Sequence, residues 1–346
     1  MPASERPQHA GAAGVGLGDY GWRVSQSEAQ VQFTPKVRWG RVALFYGLAF
    51  GWVCLVAGAL FVLGQRNLSG AAGPTVVTTV LALLYMPAPL VAALIVERLD
   101  GRPPLIRSTL DRFWLRLPRL ALVVALVVAA VLLGMIGVTW LAGNLLGLPG
   151  AGTVLFGQQD LVANALTLVP AMHADQVAAL NASIPSFWGV VGLAFGGAVL
   201  AGFTINGVFA FGEEYGWRGW LADELRPLGV FWANVLTGVL WGVWHAPLIL
   251  MGFNYGSYRT LGPAFMVALC IPFSFVLWRA REVTGSLLAP AVLHGAFNGF
   301  AGVFLILLVD ANPLIAPPVG LIGAAVFALV AAIFWVVSRK RVVGVG

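Results

Sequence analysis

Six side chains in the second half of the chain are of the types that hydrolyse bonds. They are Glu213, Glu214 and Arg218 in FGEEYGWRGW, His245 in WGVWHAP, and His294 with Asn298 in HGAFN. A carboxylate, two imidazoles and an amide can supply a base to activate water, groups to orient it and donors for an oxyanion. The glutamates follow 25 residues, 187–211, that carry no charge. A charged side chain at the centre of a bilayer costs about 2.5–3.5 kcal/mol, so the three charged groups, deep and unpaired, would cost on the order of 8–10 kcal/mol. On a continuing helix Glu214 and Arg218 are i and i+4 with the glutamate first, the favourable order for an ion pair. Glu213 points about 100° away and lacks that partner. The spacing therefore predicts one structural glutamate and one free one. The competing reading is a cluster at the cytoplasmic interface, flanked by Trp217 and Trp220 as belt aromatics, that only anchors.

His245 and His294 lie inside apolar runs. One histidine there reads equally well as a helix-to-helix hydrogen bond, but each further polar group in the bundle favours a shared cavity. His294 and Asn298, at i and i+4, project from one helix face. The chain contains neither GxSxG nor HExxH, which argues against an ordinary serine hydrolase or zincin.

The elements that must position these groups are membrane helices. The chain is 59% apolar and 10% charged, with a mean hydropathy of +0.88, far from a soluble profile. Apolar runs at 42–64, 76–96, 120–142, 187–211, 230–250, 261–278, 287–309 and 319–337 each suit a spanning helix of ~20 residues. The expected fold is all-α and polytopic, with about eight transmembrane helices. The net charge of +6 does not call for nucleic acid, because with a cytoplasmic N-terminus eighteen of the twenty basic residues fall on inner segments, and only Arg66 and Arg259 fall outside. Both termini are expected in the cytoplasm and the protein in the plasma (inner) membrane. The first apolar run begins after 41 residues and reads as an anchor, not a cleaved signal. Cys54 and Cys270 sit in apolar runs and read as small hydrophobes.

Five regions follow: a mobile tail over 1–41, three helices over 42–142, an extracytoplasmic segment over 143–186 suited to short interfacial helices, a polar-bearing membrane domain over 187–337, and a tail over 338–346. Small-xxx-small pairs at Gly192/Gly196, Gly238/Gly242 and Gly295/Gly299 suit close helix packing better than a dedicated dimer seam. No feature of the sequence sets an oligomeric state.

The three motifs together resemble the CPBP family of intramembrane proteases, which includes the type II CAAX prenyl endopeptidases and bacterial ABI relatives. EEYGWR resembles its EExxxR signature, WGVWH its aromatic-xxx-His signature and HGAFN its HxxxN signature, in the family's order across 187–309. Trp241 stands where phenylalanine is usual, and Trp217 where phenylalanine often precedes the arginine. The resemblance implies a protease in which Glu213 is the general base and His245 holds the nucleophilic water. His294 and Asn298 would stabilise the oxyanion, and Glu214 with Arg218 would form a structural or substrate-orienting pair. It implies a peptide or membrane-protein substrate within the lipid bilayer and no cofactor. Zinc is the alternative, since two histidines and a carboxylate can form a three-ligand site with one open position. A proton-coupled transporter is a second class, disfavoured because no inverted repeat is visible; a non-catalytic scaffold is a third, disfavoured by the intact side chains.

One geometric difficulty remains for the tertiary structure. If helices five and seven begin near residues 230 and 286, His245 lies ~22 Å deep and His294 ~12 Å. For them to meet, either residues 221–233 dip into the interface, or helix four continues past Glu213 with a break near Asn206-Gly207.

Overall fold

The structure, a computed structural model, describes residues 36–69, 75–105, 113–168, 178–179 and 182–339. Most of the expected N-terminal tail and nearly all of the C-terminal one lie outside the described residues, as do Arg6, Arg23, Arg107, Arg112, Lys340 and Arg341 of the charge pattern. The described chain is a helical bundle: α1 (Trp39–Val62), α2 (Thr75–Val80), α3 (Ala88–Leu99), α4 (Phe113–Thr139), α5 (Gln158–Leu168), α6 (Phe187–Phe203), α7 (Ile205–Glu214), α8 (Gly229–Trp244), α9 (Gly262–Thr284), α10 (Leu288–Phe300), α11 (Val303–Leu307) and α12 (Leu321–Arg339). Six helical stretches among the described residues are long and apolar enough to cross a membrane, and two shorter apolar helices, Phe187–Phe203 and Leu321–Val337, accompany them. The protein is a multi-pass, all-α membrane protein.

The apolar runs become helices with instructive departures. Run 76–96 is divided at Pro87, which has no N–H to continue a helix; a π-helical turn, Leu81–Tyr85, precedes it and α3 restarts after it. Run 187–211 is divided at Thr204, whose backbone (φ −123°, ψ −123°) leaves the helical region. Its hydroxyl donates to the Leu200 carbonyl at 2.6 Å, competing with the ladder at that point. The chain then stays helical through Glu213 as far as Leu225. Of the two ways to reconcile the depths of the histidines, the structure takes the continuing helix, with its break at Thr204 and not at Asn206-Gly207.

The segment 143–186 contains more than interfacial helix. Strand β1 (Ala151–Val154) pairs antiparallel with β2 (Leu308–Ala311), with Thr153 opposite Val309. The Asn144 side chain bonds both the N–H and C=O of Val154, at 2.8 and 3.0 Å. Asn164 on α5 donates to the carbonyls of Leu305, Ile306 and Leu308, so the segment is fastened to the chain that follows α10.

Two of the three glycine pairs serve packing inside the chain. A Cβ at Gly238 or Gly242 of α8 would come within 2.5 Å of the α9 backbone at Ile271 or Val267. One at Gly295 of α10 would lie 2.6 Å from Gly207 N on α7, whereas Gly192 and Gly196 face no atom within 4 Å. Only glycine permits backbones to approach this closely.

Several helix ends meet in an ionic layer. Arg38, just before α1, donates from Nε and Nη2 to Glu224 at 2.9 and 2.5 Å and from Nη1 to Asp100 at 2.6 Å. Arg41 reaches Asp100 at 2.8 Å, and Arg281 at the end of α9 binds Asp223 through two nitrogens at 2.9 Å. The ends that the charge pattern assigns to one membrane face, the start of α1 and the ends of α3, of the α7 continuation and of α9, are thus physically gathered. Hydrogen bonding to Glu224 pushes the Arg38 guanidinium above even its usual range, so Arg38 stays charged in any accessible pH window. Arg38→Ala leaves the buried Glu224 carboxylate without its principal donor, at a cost of about 1.5–3 kcal/mol. A clear fall in melting temperature in detergent is expected, with Arg66→Ala, outside the layer, near parental.

Candidate active site

Glu213 and Trp241 face each other because of the hairpin that carries them. Glu213 lies twelve residues before Leu225, and Trp241 twelve residues after Gly229. At 1.5 Å per residue both stand ~18 Å from the turn. The turn closes through Arg226–Leu228 and Gly229, whose φ of +77° suits glycine. Across the hairpin the Trp241 indole Nε1 donates to Glu213 Oε2 at 2.8 Å.

After Glu214 the helix widens into a π-helical turn, Tyr215–Leu221, and all seven of its residues are buried. Trp217 is fully buried, edge-on to Phe45 and Trp244, and Trp220 stacks on Phe45 at 4.8 Å between ring centroids. This corrects the interfacial reading: the two tryptophans are interior contacts to α1, not belt aromatics.

The two carboxylates have different partners. Glu214 Oε1 accepts from Arg218 Nη1 at 3.0 Å and pairs with His294 Nδ1 at 2.9 Å, and all three side chains are buried. Arg218 also donates from Nη2 to Ser274 Oγ at 2.9 Å and lies 4.0 Å over the Trp241 ring, a cation–π contact. Glu214 Oε2 is sealed from solvent without a partner among the described residues. Glu213 is bound through Oε2 alone, and its Oε1 has no hydrogen bond among the described residues. It also lies within electrostatic reach of His294, Glu214 and Arg218.

His245 is half-buried at the end of α8, where its Nδ1 bonds the Trp241 carbonyl at 2.8 Å. A carbonyl only accepts, so Nδ1 carries the hydrogen and, in the neutral ring, Nε2 keeps its lone pair. The His245 and His294 rings flank Trp241, with centroids 5.7 and 5.3 Å from it. The structure thus gathers Glu213, Glu214, Arg218, His245 and His294 around one indole. Asn298 lies one turn beyond His294, exposed, with no side-chain hydrogen bond among the described residues.

Sequence reasoning noted Trp241 only as standing where phenylalanine is usual and missed its N–H as the donor to Glu213; the signal was there, since indole has a donor that phenyl lacks. Ser274 was missed as well, because a serine in an apolar helix carries no sign of its partner. Among the described residues no three of His, Cys, Asp and Glu converge as a ligand set for a metal.

Buried Arg218 without Glu214 is an uncompensated charge, and breaking a buried pair costs about 3–5 kcal/mol. Glu214→Ala should therefore lower melting temperature and abundance markedly, whereas Glu213→Gln, which leaves no orphan cation, should stay folded. Equal stability of the two variants would contradict this division.

Residues 195–300, which include all six side chains, match the family model described as Type II CAAX prenyl endopeptidase Rce1-like. A curated relative, CAAX prenyl protease 2 of Methanococcus maripaludis, is 25% identical over 132 residues, a match covering 32% of this chain and 48% of that protein. The chain thus spans about half the length of the curated relative it matches. Both similarities are to CAAX prenyl proteases.

Proposed function

We propose that the protein is an intramembrane endopeptidase in which Glu213 activates water. The observation that supports this is a buried carboxylate held on one oxygen by the Trp241 indole, with the other oxygen uncommitted, beside two imidazoles. Glu214 is the poorer candidate, because Arg218 and His294 already occupy it.

In this reading a water lies between Glu213 Oε1 and His245 Nε2, whose lone pair accepts one of its hydrogens. Glu213 removes a proton as the water oxygen bonds to the scissile carbonyl carbon. His294, with Glu214 on Nδ1, donates to the oxyanion from Nε2 when both ring nitrogens carry hydrogen, and the Asn298 amide donates from the same helix face. Collapse of the tetrahedral species breaks the C–N bond, and Glu213 returns its proton to the leaving nitrogen. Glu214 and Arg218 keep His294 in place. The substrate is a membrane-associated peptide or protein, and no metal takes part.

Two quenched peptides test this in detergent, one ending in a farnesylated CAAX sequence and one in its unprenylated counterpart. Glu213→Gln should lower the cleavage rate on the order of a hundredfold to ten-thousandfold with folding intact, and dialysis against a chelator should leave the parental rate unchanged. Activity lost on chelation and restored by one zinc per chain would replace the water-only mechanism with a metal-dependent one. Comparison of membrane peptides from cells carrying the parent or Glu213→Ala identifies clients beyond these probes.

We propose a plasma-membrane location, and on the strength of the charge asymmetry we place both termini in the cytoplasm. Reporters fused at the C-terminus should read as cytoplasmic, and those fused after Val309 as external. The opposite result at both sites would invert the orientation.

A further inference from the structure

Trp241 contacts Glu213, Arg218, His245 and His294, each through a different part of the residue. Its indole N–H donates to Glu213 Oε2, its carbonyl accepts from His245 Nδ1, its ring face carries the Arg218 guanidinium and its ring edge or face meets His294. No other residue of the cluster makes this set of contacts. From this geometry we infer that Trp241 is the positioning residue of the site, aligning the base and the water-holding histidine with one rigid side chain and its own carbonyl. The inference rests on Glu213 being the base.

The physical argument is one of orientation. A glutamate has several side-chain torsions, and a carboxylate with one unbound oxygen is useful only if that oxygen has a fixed place. The indole N–H occupies Oε2 and so defines Oε1 as the oxygen that meets water. The Trp241 carbonyl fixes the hydrogen of His245 on Nδ1 and leaves Nε2 to the same water. Both alignments originate in a single residue, so moving it moves base and histidine together. Misplacement by ~1 Å costs on the order of a hundredfold in rate. The ring face adds a second function by holding Arg218, and through it Glu214, in register with His294.

A purely structural role is the competing account, since Trp241 is a buried core residue packed against Phe273. Replacing only the N–H separates the two. Incorporating 3-benzothienylalanine at position 241 keeps ring size and shape and puts sulfur where the donor was. With the quenched peptides above, this protein should show kcat lowered about tenfold to a hundredfold, KM within about twofold and a parental melting temperature. Trp241→Phe should lower kcat at least as far, with some loss of stability as well. A second measurement needs no activity. The 15N-indole resonance of Trp241, identified by its absence in Trp241→Phe, should shift upfield in Glu213→Leu, and less in Glu213→Gln, whose amide oxygen still accepts.

A benzothienylalanine protein with parental kcat, or an indole resonance indifferent to Glu213→Leu, overturns the inference. Parental cleavage by Glu213→Gln instead sinks the base assignment, and with it the catalytic part of the inference. In that case a shifted indole resonance still locates the contact, so the two failures are distinguishable.

Discussion

A carboxylate inside an apolar bundle must be given partners, and the arrangement of the second half of this chain follows from that requirement. Glu213 and Glu214 are adjacent, so they point in different directions, and their hydrogen bonds go to different partners. Glu214 is paired along its own helix with Arg218 and hydrogen-bonded across the bundle to His294. Glu213 is met by a neutral donor, the indole of Trp241. A cation stabilises a carboxylate by charge and keeps it fully engaged, whereas a single neutral N–H fixes its place and leaves an oxygen uncommitted. The asymmetry between two chemically identical side chains is therefore made by their neighbours.

Those neighbours stay in place because the helices that bear them come unusually close. Glycines on α8 admit the backbone of α9, and Gly295 on α10 admits α7. In a bilayer such contacts rely on packing and hydrogen bonds, because lipid is as apolar as the helix surface. The ionic layer of Arg38, Asp100, Glu224, Asp223 and Arg281 ties together the helix ends where water can reach. Polar chemistry at depth is thus supported by close apolar packing around it and by charge pairing at the ends. The π-helical turn at Tyr215–Leu221 lies between the two, entirely buried. Such turns are frequent at functional sites, and this one begins directly after the glutamates.

Much of this was legible in the linear chain. The apolar runs, the even charge alternation and the Glu214–Arg218 spacing depend on local periodicity alone, and periodicity is a property of sequence. The three motifs were legible for the same reason: each lies within one helix, so its residue types and spacing are visible without knowing what it faces. The break at Thr204 was narrowed only to its neighbourhood, because a β-branched hydroxyl residue is compatible with either a helix or its interruption.

What the chain alone determined, then, is which residues can do chemistry and that a membrane must surround them. What only the tertiary structure decided is which of them meet. His245 and His294 are 49 residues apart on separate helices, and their approach depends on helix crossing and on where a hairpin turns. That Glu213 receives an indole N–H, that Ser274 receives Arg218, and that Trp217 and Trp220 face α1 instead of lipid are facts about facing surfaces. A helix with apolar residues all round does not disclose which side its neighbour takes, because hydrophobicity no longer distinguishes protein from bilayer.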